Sequence, residues 1–130
     1  MKLDRIDHFV LTVASIEATC AFYSRALGMT VEEFRASDGS VRKALSFGGQ
    51  KINLHPAGGE FEPKAAAPTA GGGDFCLISE TPIDEVAAHL EAEGVAIEIG
   101  PVARTGATGP ITSLYLRDPD GNLVEISTYD

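Results

Sequence analysis

From Arg5 to Val13 the chain alternates, with Phe9, Leu11 and Val13 on one side and His8, Val10 and Thr12 on the other, the period-two pattern of a strand. The period then changes. Ile16, Cys20, Tyr23 and Leu27 recur at helical spacing behind Ser15, a natural N-cap, and ahead of Gly28, a natural C′ residue, which predicts a helix. Alternation returns from Val31 to Phe34, from Val41 to Phe47 and from Lys51 to His55, with Asp38-Gly39 and Gly48-Gly49 as the turns between them. The predicted order is βαβββ.

Pro56 to Gly73 is rich in Pro, Ala and Gly without periodicity and reads as a linker. The pattern then starts again. Asp74 to Ser79 reads as a strand. Thr81-Pro82-Ile83-Asp84 offers an N-cap, a first-turn proline and an acidic third position for a helix through Ile83, Val86, Ala87 and Leu90 that ends at Gly94. Ala96 to Ile99, Ile111 to Arg117 and Leu123 to Tyr129 complete a second βαβββ, with Gly100 to Pro110 as a longer loop. This is an internal duplication within one domain spanning 1–130: a first module at about 4–55, the linker 56–73, and a second module at about 74–129.

Counting fixes the register. His8 stands 20 residues before Gly28, and Asp74 stands 20 before Gly94, so His8 and Asp74 are equivalent. Aligning Gly49 with Gly121 makes Asn53 equivalent to Glu125 and His55 equivalent to Ser127. The Asp118-Pro119-Asp120-Gly121 stretch is hairpin chemistry, with proline fixing φ and glycine accepting a positive value. On each of these strands the intervening residues are apolar: Phe9 and Leu11, Ile52 and Leu54, Phe75 and Leu77, Val124 and Ile126. With that face against the helices, the other sheet face carries His8, Asn53, His55, Asp74, Glu125 and, by parity with Ser113 and Arg117, Tyr115. Polar residues at every second position are ordinary on a wet sheet face. Two imidazoles, two carboxylates and a phenol at repeat-related positions instead contain the donor types of a 2-His-1-carboxylate centre.

Composition narrows the function classes. A net charge of −9 argues against nucleic acid and anionic membrane as partners, since both require a basic face. The opening residues Met1 to Asp7 lack the apolar core of a signal peptide and no run is long enough to span a membrane, so the expected location is the cytoplasm. Cys20 and Cys76, far apart in sequence, read as two buried reduced thiols.

Ile6-Asp-His-Phe-Val-Leu-Thr-Val13, Ala21-Phe-Tyr-Ser-Arg-Ala-Leu-Gly28 and Asp118-Pro-Asp-Gly-Asn-Leu-Val-Glu-Ile126 resemble the vicinal oxygen chelate superfamily of glyoxalase I, extradiol dioxygenases and fosfomycin or bleomycin resistance proteins. Lys51-Ile-Asn-Leu-His55, Phe61-Glu-Pro-Lys-Ala65 and the stretch from Gly100 to Pro110 are similar to the glyoxalase domain-containing protein five subgroup and its bacterial relatives. The resemblance implies an α+β fold of two tandem βαβββ modules forming a cupped mixed sheet with helices outside. It also implies a divalent metal (Fe, Mn, Ni or Zn), a small-molecule substrate and a homodimer. Matched by position, His8 stands at the superfamily's first-strand ligand and Glu125 at its last. Asp74 replaces the usual second-module histidine, so His55 is expected as the third metal ligand, with Asp74 meeting substrate or orienting a ligand. Asn53 replaces the second carboxylate of glyoxalase I and cannot serve as base at neutral pH, which leaves it a substrate contact. Tyr115 lies ten residues before Glu125, as does a substrate-contacting tyrosine in dioxygenases and fosfomycin-resistance transferases, and is expected with Glu125 in catalysis. Arg104, in the glycine-rich loop, is placed to grip a carboxylate or phosphonate. The expected activity is a metal-dependent lyase or isomerase on a vicinal-oxygen substrate, with an extradiol-type dioxygenase or a metal-free antibiotic-binding protein as rivals.

Overall fold

The computed structural model describes all residues, 1–130. The element order is β1 (His8–Val13), α1 (Ile16–Leu27), β2 (Thr30–Arg35), β3 (Val41–Phe47), β4 (Gln50–Pro56), β5 (Asp74–Ile78), α2 (Ile83–Ala92), β6 (Ile99–Thr105), β7 (Pro110–Arg117) and β8 (Leu123–Tyr129). The chain divides into two compact units, Met1–Gly71 and Gly72–Asp130. Each is a βαβββ module with one four-stranded mixed sheet, ordered β1-β4-β3-β2 in the first and β5-β8-β7-β6 in the second. In each the first strand runs parallel to the last, and the remaining pairs are antiparallel. The duplication expected from sequence is therefore repeated strand for strand.

In the first unit α1 begins at Ser15, whose Oγ accepts from the Ala18 amide at 3.1 Å, and closes at Gly28 with φ of 67°. Tyr23 and Ala26 of the helix face, with Leu11, Val13, Leu45, Ile52 and Leu54 of the sheet, form the dry core. Burial of each such large apolar side chain contributes roughly 1.5–3 kcal/mol. In the second unit the same arrangement buries Leu90 of α2 with Leu114, Leu116, Val124 and Ile126.

Two local expectations are corrected. Thr81 does not cap α2: the N-cap position is Pro82, which has no side-chain cap bond, and the Thr81 amide instead donates to Ser79 Oγ at 2.9 Å. The strand expected over Ala96 to Ile99 begins where it was expected to end, and most of the loop expected from Gly100 is β6. The pairing with β7 shifts between Ile99 and Val102, a bulge at Gly100. A Cβ at Gly100 would sit 2.5 Å from the Ser113 carbonyl oxygen, and its φ is 107°, so only glycine lets the strand pass this close.

The Asp118 to Asn122 hairpin is held by its own side chains. Asp118 Oδ1 accepts from the amides of Asp120 (2.9 Å) and Asn122 (3.0 Å), and Oδ2 accepts from Asn122 Nδ2 at 2.7 Å. Asn122 Oδ1 in turn accepts from the Gly73 amide at 2.6 Å, which fixes the entry of β5 beside β8.

Candidate functional site

The two modules present their polar sheet faces in the same register. In the first, β1 pairs with β4 as His8 to Lys51, Val10 to Asn53 and Thr12 to His55, and Asn53 faces Ala44 of β3. In the second, Asp74 pairs with Leu123, Cys76 with Glu125, and Tyr115 of β7 with Glu125. His8 and Asp74 are thus equivalent, as are Asn53 and Glu125.

His8 is exposed, and its Nδ1 lies 2.7 Å from Asp7 Oδ1. With the carboxylate accepting, the neutral ring carries its proton on Nδ1 and keeps a lone pair on Nε2. The same bond is the chief cause that holds the Asp7 carboxyl below the usual aspartate range. A carboxylate fixing one nitrogen and freeing the other is the arrangement seen around metal-bound imidazoles.

His55 is a different kind of histidine, only 6% exposed. Phe61 contacts it edge-on, with ring centroids 5.2 Å apart, and the Arg42 guanidinium stacks on the same Phe61 ring at 4.1 Å. Burial first, and the Arg42 charge second, push the His55 pKa below its ordinary value, while Glu60 opposes them. His55 is therefore a neutral imidazole at neutral pH. Two residues earlier, the Asn53 Oδ1 is sealed from solvent without a hydrogen-bond partner. The register sets His8 and His55 four residues apart along the strand pair, about 13 Å at the usual rise per residue.

The second unit gathers a connected set around Glu125, which is half-buried. Arg104 Nε donates to the Tyr115 hydroxyl at 3.0 Å, and its Nη1 donates to the Ala103 carbonyl at 3.0 Å. With its oxygen accepting from Arg104, the phenol keeps its own proton to donate outward. Asp74 is exposed and diagonal to Glu125, a separation of about 7–8 Å. Arg117 lies in the row of Asp74 and Leu123 and is engaged by both oxygens of Glu98, at 3.1 and 3.2 Å.

Three residues beside these were given no role from sequence, Asp7, Ser113 and Ser127, and a fourth, Cys76, was expected only as a buried thiol. Cys76 is a free thiol, as expected, but it is exposed rather than buried, and Cys20 is only half-buried. The Cys76 Sγ lies 3.2 Å from Ser127 Oγ, and burial of the sulfur atom's surroundings is the first cause raising its pKa. Parity already placed Ser113 and Ser127 on the Glu125 face, so for these two the signal was there without a reason to single them out.

Neither unit brings three His, Cys, Asp or Glu side chains together into a group that could hold an ion. Each unit by itself carries a donor of a type that divalent metals take: in the first, the oriented nitrogen of His8, and in the second, the Glu125 carboxylate, which accepts from the Ser127 hydroxyl at 3.2 Å.

Duplicated βαβββ units, each with its helix on one sheet face and a polar set on the other, define the class of protein. The chain belongs to the Glyoxalase/Bleomycin resistance protein/Dioxygenase superfamily, whose pattern it matches over residues 5–126. It is 54% identical over 129 residues to virulence protein STM3117 of Salmonella typhimurium, covering 99% of this chain and 87% of that one. The crystal structure of that protein superposes with a TM-score of 0.93, covering 100% of both chains. A glyoxalase domain-containing protein, RDO1, of Mycosarcoma maydis is 50% identical over 99% of this chain and 70% of its own length. Biphenyl-2,3-diol 1,2-dioxygenase 3 of Rhodococcus globerulus is 30% identical over 94% of this chain and 62% of its own.

Proposed function

We propose that this chain is a divalent-metal-dependent enzyme that acts, as a homodimer, on a small substrate bearing two neighbouring oxygens, with lyase or isomerase chemistry favoured. The observation that carries the reading is the Asp7 to His8 bond, which leaves one imidazole nitrogen oriented and free. His8 Nε2 and the Glu125 carboxylate are the proposed metal donors. We leave His55 out of the donor set, because it lies four residues along the sheet from His8 and is a buried neutral imidazole. A bound divalent cation supplies Lewis-acid polarisation of two adjacent substrate oxygens.

The remaining roles follow from the chain's own groups. Tyr115 donates its phenolic proton to a substrate oxygen, with the Arg104 charge behind it. Asn53, an amide with no acid–base proton at neutral pH, suits a polar substrate contact and not a proton abstraction. Asp74, exposed beside Glu125, meets the substrate's polar edge.

A second reading, an extradiol-type dioxygenase, is favoured by the 30% identity with the biphenyl-diol enzyme. One experiment separates the two: metal analysis of protein purified without chelator, then assays with each of Fe, Mn, Ni and Zn restored. Oxygen consumption on catechols with Fe alone selects the dioxygenase. Oxygen-independent turnover of a hydroxy-carbonyl substrate selects the lyase or isomerase. Neither activity, with no metal bound, removes both. Sedimentation as a monomer contradicts the homodimer.

A further inference from the structure

Ser127 is fully buried two residues beyond Glu125 on the same sheet face, and its hydroxyl touches three partners. It lies 3.2 Å from Glu125 Oε2, 2.6 Å from Ser113 Oγ and 3.2 Å from Cys76 Sγ. An ionised carboxylate only accepts, so the bond to Glu125 uses the Ser127 proton; in the contacts with Ser113 and Cys76 either atom can donate, and the Cys76 thiol also meets the Glu125 side chain. Ser113 is likewise fully buried and faces Ser127 across β7 and β8. Ser127 is thus a buried hydroxyl that donates to the carboxylate.

Sheet geometry alone does not produce this bond. At the equivalent places of the first module stand His55 and Asn53, also two residues apart on β4, and the Asn53 Oδ1 there is buried without a partner. The second module spends two buried serines on its carboxylate where the first leaves an amide oxygen unpaired.

We propose that Ser127 is a positioning residue that fixes the Glu125 carboxylate for metal binding. The inference rests on the reading of Glu125 as a metal donor. Ser127 touches neither metal nor substrate. Its hydroxyl removes one rotational freedom from the carboxylate and lowers the ordering cost of binding.

The test uses the full chain with cobalt(II) as the probe metal, reading affinity by titration and the visible spectrum of the loaded protein, with thermal stability measured in parallel. Ser127→Ala is expected to weaken cobalt binding by about 10–100-fold and to shift the spectrum. Ser113→Ala deletes an equally buried hydroxyl without removing the proton donated to Glu125, and is expected to keep affinity within about threefold and the spectrum unchanged. Ser127→Thr retains the donor and is expected to restore most of the affinity. If Ser127→Ala does not fold, Ser127→Cys under reducing conditions keeps the volume with a weaker donor, and a several-fold loss is expected. Glu125→Gln separates the two claims. If Glu125→Gln loses cobalt while Ser127→Ala or Ser127→Cys binds like the parent, the positioning role is wrong and the ligand reading stands. If Glu125→Gln binds like the parent, the ligand reading is wrong. Equal losses in Ser127→Ala and Ser113→Ala, in step with their melting points, make both serines structural and overturn the proposal.

Discussion

Replacing Asn122 with alanine strikes the joint between the last hairpin and the opening of β5. Asn122 is 1% exposed, and its amide makes two bonds that no other side chain duplicates: it donates to Asp118 Oδ2 at 2.7 Å and accepts from the Gly73 amide at 2.6 Å. Asn122→Ala leaves the Gly73 amide without this acceptor and takes a donor from a carboxylate that is itself only 5% exposed. A fully buried amide left without a partner costs about 1–3 kcal/mol, an upper range for the part-buried Gly73 amide, and a lost bond to a charged group about 1.5–3 kcal/mol. The sum is at most about 2.5–6 kcal/mol, a large part of the roughly 5–15 kcal/mol by which a domain is ordinarily stable. The assay is urea unfolding followed by circular dichroism, reading the midpoint at unchanged slope. The cost should also reach the site, because Gly73 immediately precedes Asp74 and Asn122 immediately precedes β8, the strand of Glu125. A loss below about 0.5 kcal/mol, the range of ordinary surface substitutions, would refute the reasoning, since it would show that water replaces both bonds at little cost.

Asp7→Asn should weaken divalent-metal binding by about 10–100-fold with little change in melting point, because the exposed carboxylate acts only through the His8 ring; calorimetric titration with zinc checks this, and unchanged affinity contradicts it. His55 gives the metal-free protein a pH dependence. Its folded pKa is depressed, so the unfolded chain binds the proton first as pH falls through 6.5, and the stabilisation present above that value is lost progressively below it. His55→Gln should flatten the stability profile below pH 6.5, and an identical slope in parent and variant contradicts the assignment. Methylglyoxal-glutathione hemithioacetal should be turned over poorly, since a missing general base costs about 10²–10⁴-fold in rate and Asn53 cannot replace one. Turnover at the level of a standard glyoxalase I would show that another group, His55 or Asp74, serves as base.

The sheet pattern was legible because it needs only local information. Alternation located β1, β3, β4, β5, β7 and β8, Ser15 and Gly28 marked the ends of α1, and equal 20-residue spacings exposed the duplication. What failed was governed by partners distant in sequence. Gly100 reads as a loop until the Ser113 carbonyl is placed against it, and then the glycine is the condition for a strand. Strand parity put Glu125, Ser127 and Ser113 on one face, but parity does not say which neighbours touch, and the Ser127 hub depends on pairing Cys76 with Glu125 and Ser113 with Ser127. Parity also treated His8 and His55 as companions. The pairing of β1 with β4 shows that sharing a face is not proximity, since one lies opposite Lys51 and the other opposite Thr12.

Metal binding is the claim on which the functional account turns, and thermal unfolding with and without chelator tests it most directly. A ligand that binds only the folded state stabilises by about 2.7 kcal/mol at a concentration 100 times its dissociation constant. Protein purified without chelator should therefore carry about one divalent ion per chain, lose several degrees of melting temperature on chelation and regain them when the metal is restored. Elemental analysis that finds no metal, together with a melting temperature indifferent to chelator and to added Fe, Mn, Ni or Zn, would contradict the account and leave a metal-free binding protein in its place.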